Sequence, residues 1–264
     1  MCSQPNQKIQ VVLLAGQRPG VDPVAALFGE TYKATANING RAMLNRVMDA
    51  IDASGRVVET FILMQEPEVL RARPEFSDLT NRPDVHILTS NSSISGSLLE
   101  FLDKQQPSYP LLVTTCDHIL LRGQDINDFI DSQPNDTDLS VGLIRAETVL
   151  SAHPTIQRTW LRFKDGAYTS CNLFMLMTPG AKSALKFWAT VEQDRKKVMK
   201  LAWRFGISTL LLYLFNKLSL KRTFSRASKS FGATISPVLL KHADLAIDVD
   251  KPSDVEFVQQ FLGK

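Results

Sequence analysis

The sequence lacks most of the features that mark a secreted, fibrous or membrane-spanning chain. Its three cysteines in 264 residues, Cys2, Cys116 and Cys171, form an odd and widely spaced set. Such a set excludes a disulfide framework, offers no paired zinc-ligand spacing, and points to a reducing compartment. No apolar run approaches the ~20 residues of a membrane span. The longest, 207–215, is nine residues and contains Ser208 and Thr209. The opening MCSQPNQK lacks the basic-then-apolar order of a secretory signal, so a cytoplasmic protein is expected. Internal repeats and low-complexity tracts are missing too. One region is also poor in acid: residues 182–229 hold twelve Lys/Arg against only Glu192 and Asp194. That segment carries +10 while the whole chain carries +3, which leaves a body of −7.

The remaining composition, 44% hydrophobic and 22% charged with 13 Gly and 13 Pro, is that of a globular protein. Residues 1–264 are expected to form one domain, with 182–230 as a basic helical insertion. Aliphatic runs predict strands over 8–14, 57–64, 85–88, 111–115 and 139–144, with short ones at 233–237 and 246–249. Helical spacing is read at 41–53, 123–132 and 252–262, and over most of 181–230. A helix over 98–105 is expected to be capped by Ser97, with Glu100 as its capping-box partner. The stretches 159–163 and 168–177 read as an antiparallel pair around Asp165-Gly166. Strands alternating with helices give an α/β fold with a mainly parallel, mixed sheet flanked by helices and joined by right-handed crossovers. Ligands of such sheets sit outside the carboxyl ends of the strands, which would gather the 15–33 loop, the 90–97 loop, Asp117 and Asp248/Asp250.

The richest stretch is 11–33, VVLLAGQRPGVDPVAALFGETYK. A buried strand breaks at Ala15-Gly16 into a Gly/Pro loop with Arg18 and ends at Lys33. Glycine lets backbone approach a phosphate, loop N–H groups face its oxygens, and the two cations neutralise charge. The same loop reads equally as an ordinary turn with solvated cations. Asp117 closes the run LLVTTCD, where a carboxylate needs either a cation or a capping role. Asp248 and Asp250 stand two apart, on one face of an extended segment, as candidate metal ligands, and Asp250 could instead cap the helix that follows. Asn91, Ser92, Gly96 and Ser97 belong to a polar loop able to read a base edge or simply to be solvated. Asn172 could hydrogen-bond an acceptor. Cys171 has no adjacent base and reads as a small buried thiol, while His118 and His153 read as core or surface groups.

Together these segments resemble the MobA-like NTP transferase superfamily. Its opening signature is matched by Leu14-Ala15-Gly16-Gln17-Arg18 and Lys33, and its Gly-Lys/Arg-x-Met-Leu element by Gly40-Arg41-Ala42-Met43-Leu44. Its base-reading loop is matched by 90–97, its aspartate after the central strand by Cys116-Asp117-His118-Ile119-Leu120, and its late acidic element by Asp250-Lys251-Pro252-Ser253-Asp254-Val255. The chain departs from the pattern at Gln17, where a second glycine is usual, at Pro19 and Pro23 in a long first loop, and at Cys171, where relatives often have glycine. The resemblance implies a Rossmann-like, GT-A-like fold. It further implies transfer of NMP from an NTP, CTP or GTP favoured, to a small phosphorylated acceptor with release of pyrophosphate. Arg18 and Lys33 would stabilise charge on the phosphates. Asp117 with Asp250 or Asp248 would hold Mg²⁺. Leu14 to Gln17 and the 90–97 loop would bind the nucleotide, and Asn172 would face the acceptor.

The basic segment 182–230 matches none of these motifs. It reads as a helical subdomain, as a cap over an anionic acceptor, or as a peripheral contact with anionic lipid at the inner membrane face. No motif supports nucleic-acid binding, and oligomeric state is not legible. Two other functions fit parts of the sequence. A GT-A glycosyltransferase could use Asp248-Val249-Asp250 as its metal motif, and a non-catalytic nucleotide-binding or membrane-associated module could have lost activity at Gln17.

Overall fold

The structure is a computed structural model of the chain, and it describes residues 7–17, 19–192 and 217–263. The strands are β1 (Ile9–Leu14), β2 (Asn37–Ile38), β3 (Arg41–Ala42), β4 (Val57–Met64), β5 (Val85–Thr89), β6 (Leu111–Thr115), β7 (Leu139–Arg145), β8 (Leu161–Phe163), β9 (Gly166–Leu176) and β10 (Ile235–Leu240). The helices are α1 (Pro23–Leu27), α2 (Met43–Ser54), α3 (Glu68–Arg71), α4 (Ser77–Thr80), α5 (Ile94–Gln105), α6 (Gly123–Asp131), α7 (Ala146–Ala152), α8 (Ala181–Glu192), α9 (Leu220–Phe231) and α10 (Pro252–Leu262).

Eight strands form one sheet in the order β10-β7-β9-β6-β1-β4-β5, with β8 paired to β9. β1 runs parallel to β4 and β6, β4 to β5, and β7 to β10, while β9 is antiparallel to both of its long neighbours. The expected mixed, mostly parallel sheet is therefore what forms. The central strands are aliphatic on both faces because helices cover both. Val11 and Leu13 pack with α2, α6 and α10, while Val12 packs with α5 and α8. The chain leaves β1 toward β4 and β5, then returns to lay β6 on the other side of β1. The carboxyl ends of β1 and β6 therefore flank the crevice where such sheets bind ligands.

Several boundaries differ from those predicted. The Asn39-Gly40 pair has positive φ at both residues and closes the β2–β3 hairpin, so α2 starts at Met43 and not at Arg41. β10 spans Ile235–Leu240, and its Pro237 is tolerated because β10 lies at the sheet edge. Residues 146–152, which none of the predicted elements includes, form α7. The expected strand over 246–249 is absent: a 3₁₀ turn at Ala243–Ala246 leads into extended but unladdered backbone. α5 begins four residues earlier than predicted, with Ser93 as its N-cap through a bond from Gly96 N–H. Ser97 instead lies inside the helix and donates to Ser93 O at 2.7 Å, and Glu100 pairs with Lys104 and Asn91. The expected helix over 181–230 is seen as α8 and α9, and 193–216 lies outside the described residues.

Candidate active site

A cavity of about 510 Å³ opens at the carboxyl ends of β1, β4, β5 and β6. Its floor is set by the β1 ladder. Ala15 N–H donates to Leu63 O and Cys116 N–H to Leu14 O, so both loops leave the sheet in fixed register. Leu14, Gly16 and Gln17 line the cavity, as do Asn91, Ser92 and Ser97 of the second loop and Asp117, Asn172, Asp248 and Asp250. Ala15 is buried beneath, Gly96 is in the first turn of α5, and Arg18 lies outside the described residues.

Lys33 is the electrostatic centre. It opens a short 3₁₀ turn whose neighbours Ala34 and Ala36 are fully buried, and this aims its side chain at the cavity wall. Its Nζ lies 2.6 Å from Asp117 Oδ2, 2.6 Å from Asp250 Oδ1 and 3.3 Å from Val249 O. Burial works against the ammonium, but the Asp117 and Asp250 carboxylates outweigh it and hold the lysine above its usual range. Burial likewise penalises the Asp117 carboxylate. The Lys33 charge and hydrogen bond, with a hydrogen bond from Thr115, still hold it below the usual carboxylate range.

The capping role open to Asp250 is taken by Asp254, whose Oδ2 accepts the N–H groups of Asp250 and Lys251 at 3.1 Å each. Asp250 is thereby free to serve the cavity. Asp248 is bound to Arg158 and accepts from Asn172 Nδ2 at 3.2 Å. Burial pushes its carboxyl upward, Arg158 opposes this, and the charges of Asp117 and Asp250 add to the rise. Asn172 sits at a left-handed φ of 52° beside a break in the β7–β9 register, a conformation Asn tolerates and that turns its amide into the cavity.

Two residues absent from the sequence reading belong to this site. Gln65, just beyond β4, accepts from Gln17 N–H at 3.0 Å and donates to Gln17 O and Asn91 O, each at 3.0 Å. It clasps the first loop to the second. A Cβ on Gly16 would lie 2.7 Å from Gln65 Oε1, so the glycine makes room for this clasp. Arg158 is the second, half-buried and paired with Asp248. The signal for Gln65 was its place just past a strand end on the ligand side of the sheet. For Arg158 no pattern was present.

His118, His153, Cys116 and Cys171 are packed or paired within the fold. Burial drives His118 down to about 4, and its Nε2 meets Leu245 O at 3.1 Å. His153 pairs with Asp244 at 2.7 Å. Burial pushes both Cys116 and Cys171 up to about 12, and Cys171 packs over Gly142, where a Cβ would lie 2.6 Å from its Sγ.

The MobA-like NTP transferase domain matches residues 11–164, the span that carries the first loop, the second loop and Asp117. The chain belongs to that family. It is a nucleotidyltransferase with a Rossmann-like α/β fold. Solved structures resemble this MobA-like protein over nearly its whole length. A hypothetical transferase from Thermus thermophilus is 24% identical, with 94% of this chain and 100% of that one covered and a TM-score of 0.78. A 4-diphosphocytidyl-2C-methyl-D-erythritol synthase from Anaerococcus prevotii DSM 20548 is 9% identical, with coverages of 98% and 100% and a TM-score of 0.61. A CMP:2-keto-3-deoxy-manno-octonic acid synthetase, solved with CTP, is 12% identical, with coverages of 97% and 98% and a TM-score of 0.56. At these identities the MobA-like chain shares their fold. No curated protein matches it.

Proposed function

We propose that this nucleotidyltransferase moves NMP from an NTP, CTP or GTP favoured, to a small phosphorylated acceptor. An acceptor phosphate oxygen attacks the α-phosphorus as the bond to pyrophosphate breaks. The observation that carries the reading is the meeting of Lys33, Asp117 and Asp250 on the wall of a cavity built from two backbone-rich loops. Transfer at phosphorus asks for positioning and charge neutralisation more than for a protein nucleophile, and burial keeps the Cys116 thiol on the described wall protonated.

In this reading Lys33, with Arg18 of the first loop, binds the phosphate oxygens where negative charge builds. Residues 14–17 and Asn91, Ser92, Gly96 and Ser97 enclose the nucleoside. Asn172 orients the acceptor, and the Arg158–Asp248 pair holds Asn172. The donor chemistry fits Mg²⁺. Two carboxylates converge on one point, now held by the Lys33 ammonium, and Mg²⁺ is typically bound by one or two carboxylates plus substrate phosphates. Asp117 and Asp250 would hold the ion, and Asp248 could join them only by leaving Arg158. When bound, such an ion supplies neutralisation of the triphosphate. No group of three or more candidate metal ligands exists among the described residues, so substrate oxygens would complete the shell. The glycosyltransferase reading has less behind it because Asp248 and Asp250 are bound to different partners, Arg158 and Lys33.

The test is pyrophosphate release from each of four NTPs with phosphate-bearing acceptors. One NTP should be turned over, and Asp117→Asn should lower its rate at least about a hundredfold. Release that survives this change would overturn the assignment. No described helix is long and apolar enough to cross a membrane. We further propose a cytoplasmic protein whose basic stretch 182–230 is a candidate peripheral contact with anionic lipid, on the strength of its charge of +10 over 182–229. Flotation with anionic vesicles, lost when the cations of 195–222 become Gln, tests that contact.

A further inference from the structure

α5 presents Ser93, Ile94 and Ser97 to the cavity, so the placement of its first turn shapes the nucleoside wall. A helix start leaves backbone N–H groups without intrahelical partners. Here those of Ile94, Ser95 and Gly96 are all taken by side chains. Gly96 N–H donates to Ser93 Oγ at 3.1 Å, and Ser97 N–H makes the first intrahelical bond, to Ser93 O at 3.0 Å. The first two, Ile94 and Ser95, donate to the Glu192 carboxylate at 3.2 and 3.1 Å, and the buried Ser95 hydroxyl bonds the same carboxylate. Glu192 is the last residue of α8, nearly one hundred positions downstream, where the chain passes into its acid-poor, basic stretch. A full negative charge thus rests on the positive end of α5, the favourable orientation for the helix dipole.

The contact continues into the site. Ser97 Oγ reaches Asn91 O at 3.2 Å, Gln65 Nε2 reaches the same oxygen, and Gln65 holds both backbone groups of Gln17. One hydrogen-bonded path therefore runs from the end of α8 through α5 and the second loop to the first loop. We infer that Glu192 is a positioning residue for nucleotide binding: it fixes the α5 wall against which the base is selected, without touching the nucleotide. The inference rests on the nucleotidyltransferase reading of this cavity.

The test compares wild type with Glu192→Gln, which keeps shape and loses charge, and Glu192→Asp, which keeps charge on a shorter arm. Glu192→Gln should raise KM for the preferred NTP roughly tenfold, change kcat less than about threefold, and narrow the preference among the four NTPs. Glu192→Asp should restore part of the KM. Hydrogen exchange read without substrate should quicken across 90–97 in Glu192→Gln and stay unchanged in β1, β4 and β6. A lower melting temperature with KM, preference and 90–97 exchange unchanged would overturn the inference and leave Glu192 a plain staple. Wild type that turns over no NTP, with exchange at 90–97 still responding to Glu192→Gln, would instead sink the functional reading and confine Glu192 to ordering the loop, which also overturns its proposed role.

Discussion

Lys33 and Asp117 form one ion pair, yet losing either partner should have unequal effects. Their side chains are 13% and 11% exposed. Lys33 has two further acceptors, Asp250 Oδ1 and Val249 O, whereas among the described residues the Asp117 carboxylate has only the Thr115 hydroxyl besides Lys33. Asp117→Asn therefore leaves a lysine that is still paired, at a loss of about 1–2 kcal/mol. Lys33→Met strands a buried carboxylate, at about 3–5 kcal/mol. For a chain of this size these convert to drops of roughly 4 °C and roughly 12 °C in melting temperature. The pH dependence separates the two further. In wild type the Asp117 pKa is depressed, so its contribution is present above the unfolded value near 3.9 and fades as pH falls through the folded one. In Lys33→Met the cation that depressed it is gone and burial raises it, so the variant's deficit is full above the new pKa and shrinks as pH falls. Melts of wild type, both single variants and the double variant at about pH 7.5 and about pH 5 decide the matter. The double variant should lose less than the sum of the singles by about 2 kcal/mol. A Lys33→Met deficit equal at both pH values, or smaller than that of Asp117→Asn, would refute this account of the pair.

The clasp gives a second test. Gln65→Ala and Gly16→Ala should each raise KM for the nucleotide roughly tenfold, and together no more than either alone, because both open the same bonds; additive effects would separate them. At Asn172 the backbone and side chain can be told apart. Ala should melt lower than Gly by about 1 kcal/mol because of the left-handed φ, while both lose acceptor turnover equally. Turnover kept by Asn172→Gly would remove the amide from the site. His242 bonds Asp125 and Asp244, and although burial lowers its pKa these partners raise it to about 9. Its contribution is full below about pH 6.5 and is lost as pH rises through about 9. The gap in melting temperature between wild type and His242→Asn should therefore close across that window, and a gap constant from about pH 6 to about pH 10 counts against the network.

The parts of the fold that rest on local pattern were legible. The aliphatic runs that became β1, β4 and β6 stop at polar loops, and the rule for parallel sheets then gathers those loops without any structure. Where the reading failed, a long-range partner had decided the local outcome. The run SNSSISGS offers several serines as helix caps, and the choice of Ser93 goes with Glu192, a residue no local window contains. The segment 245–249 alternates like a strand, and Leu245, Ile247 and Val249 are indeed buried. It joins no sheet; Val249 N–H instead donates to Asp117 O. The alternation still sends Asp248 and Asp250 toward the cavity, so the inference about their shared face survived the loss of the strand that had motivated it. Gln65 was missed for a different reason: a glutamine after a strand has the same appearance whether it meets solvent or ties two loops together.

Charge makes the strongest argument about what must enter the cavity with a nucleotide. Lys33 between Asp117 and Asp250 leaves one net negative charge on the wall, Asp22 on the lining adds a second, and the Arg158–Asp248 pair adds none. Arg18, in the adjoining loop, would leave the total at about one negative charge. A nucleoside triphosphate arriving at such a wall would meet no net attraction, and the partly desolvated carboxylates would oppose its phosphates at short range. In the proposed reading a divalent cation would sit between the two carboxylates, leaving the Lys33 ammonium to the phosphates. Such an exchange would keep the carboxylates and the lysine paired and would supply the missing positive charge. It also sets an order that titration can read: nucleotide affinity should depend steeply on divalent cation in wild type. In Asp117→Asn, where one carboxylate is already neutral and Lys33 is less tightly held, the dependence should be shallower. Equal cation dependence in both proteins would mean that the ion, if one binds, rides on the nucleotide alone and that Asp117 serves Lys33.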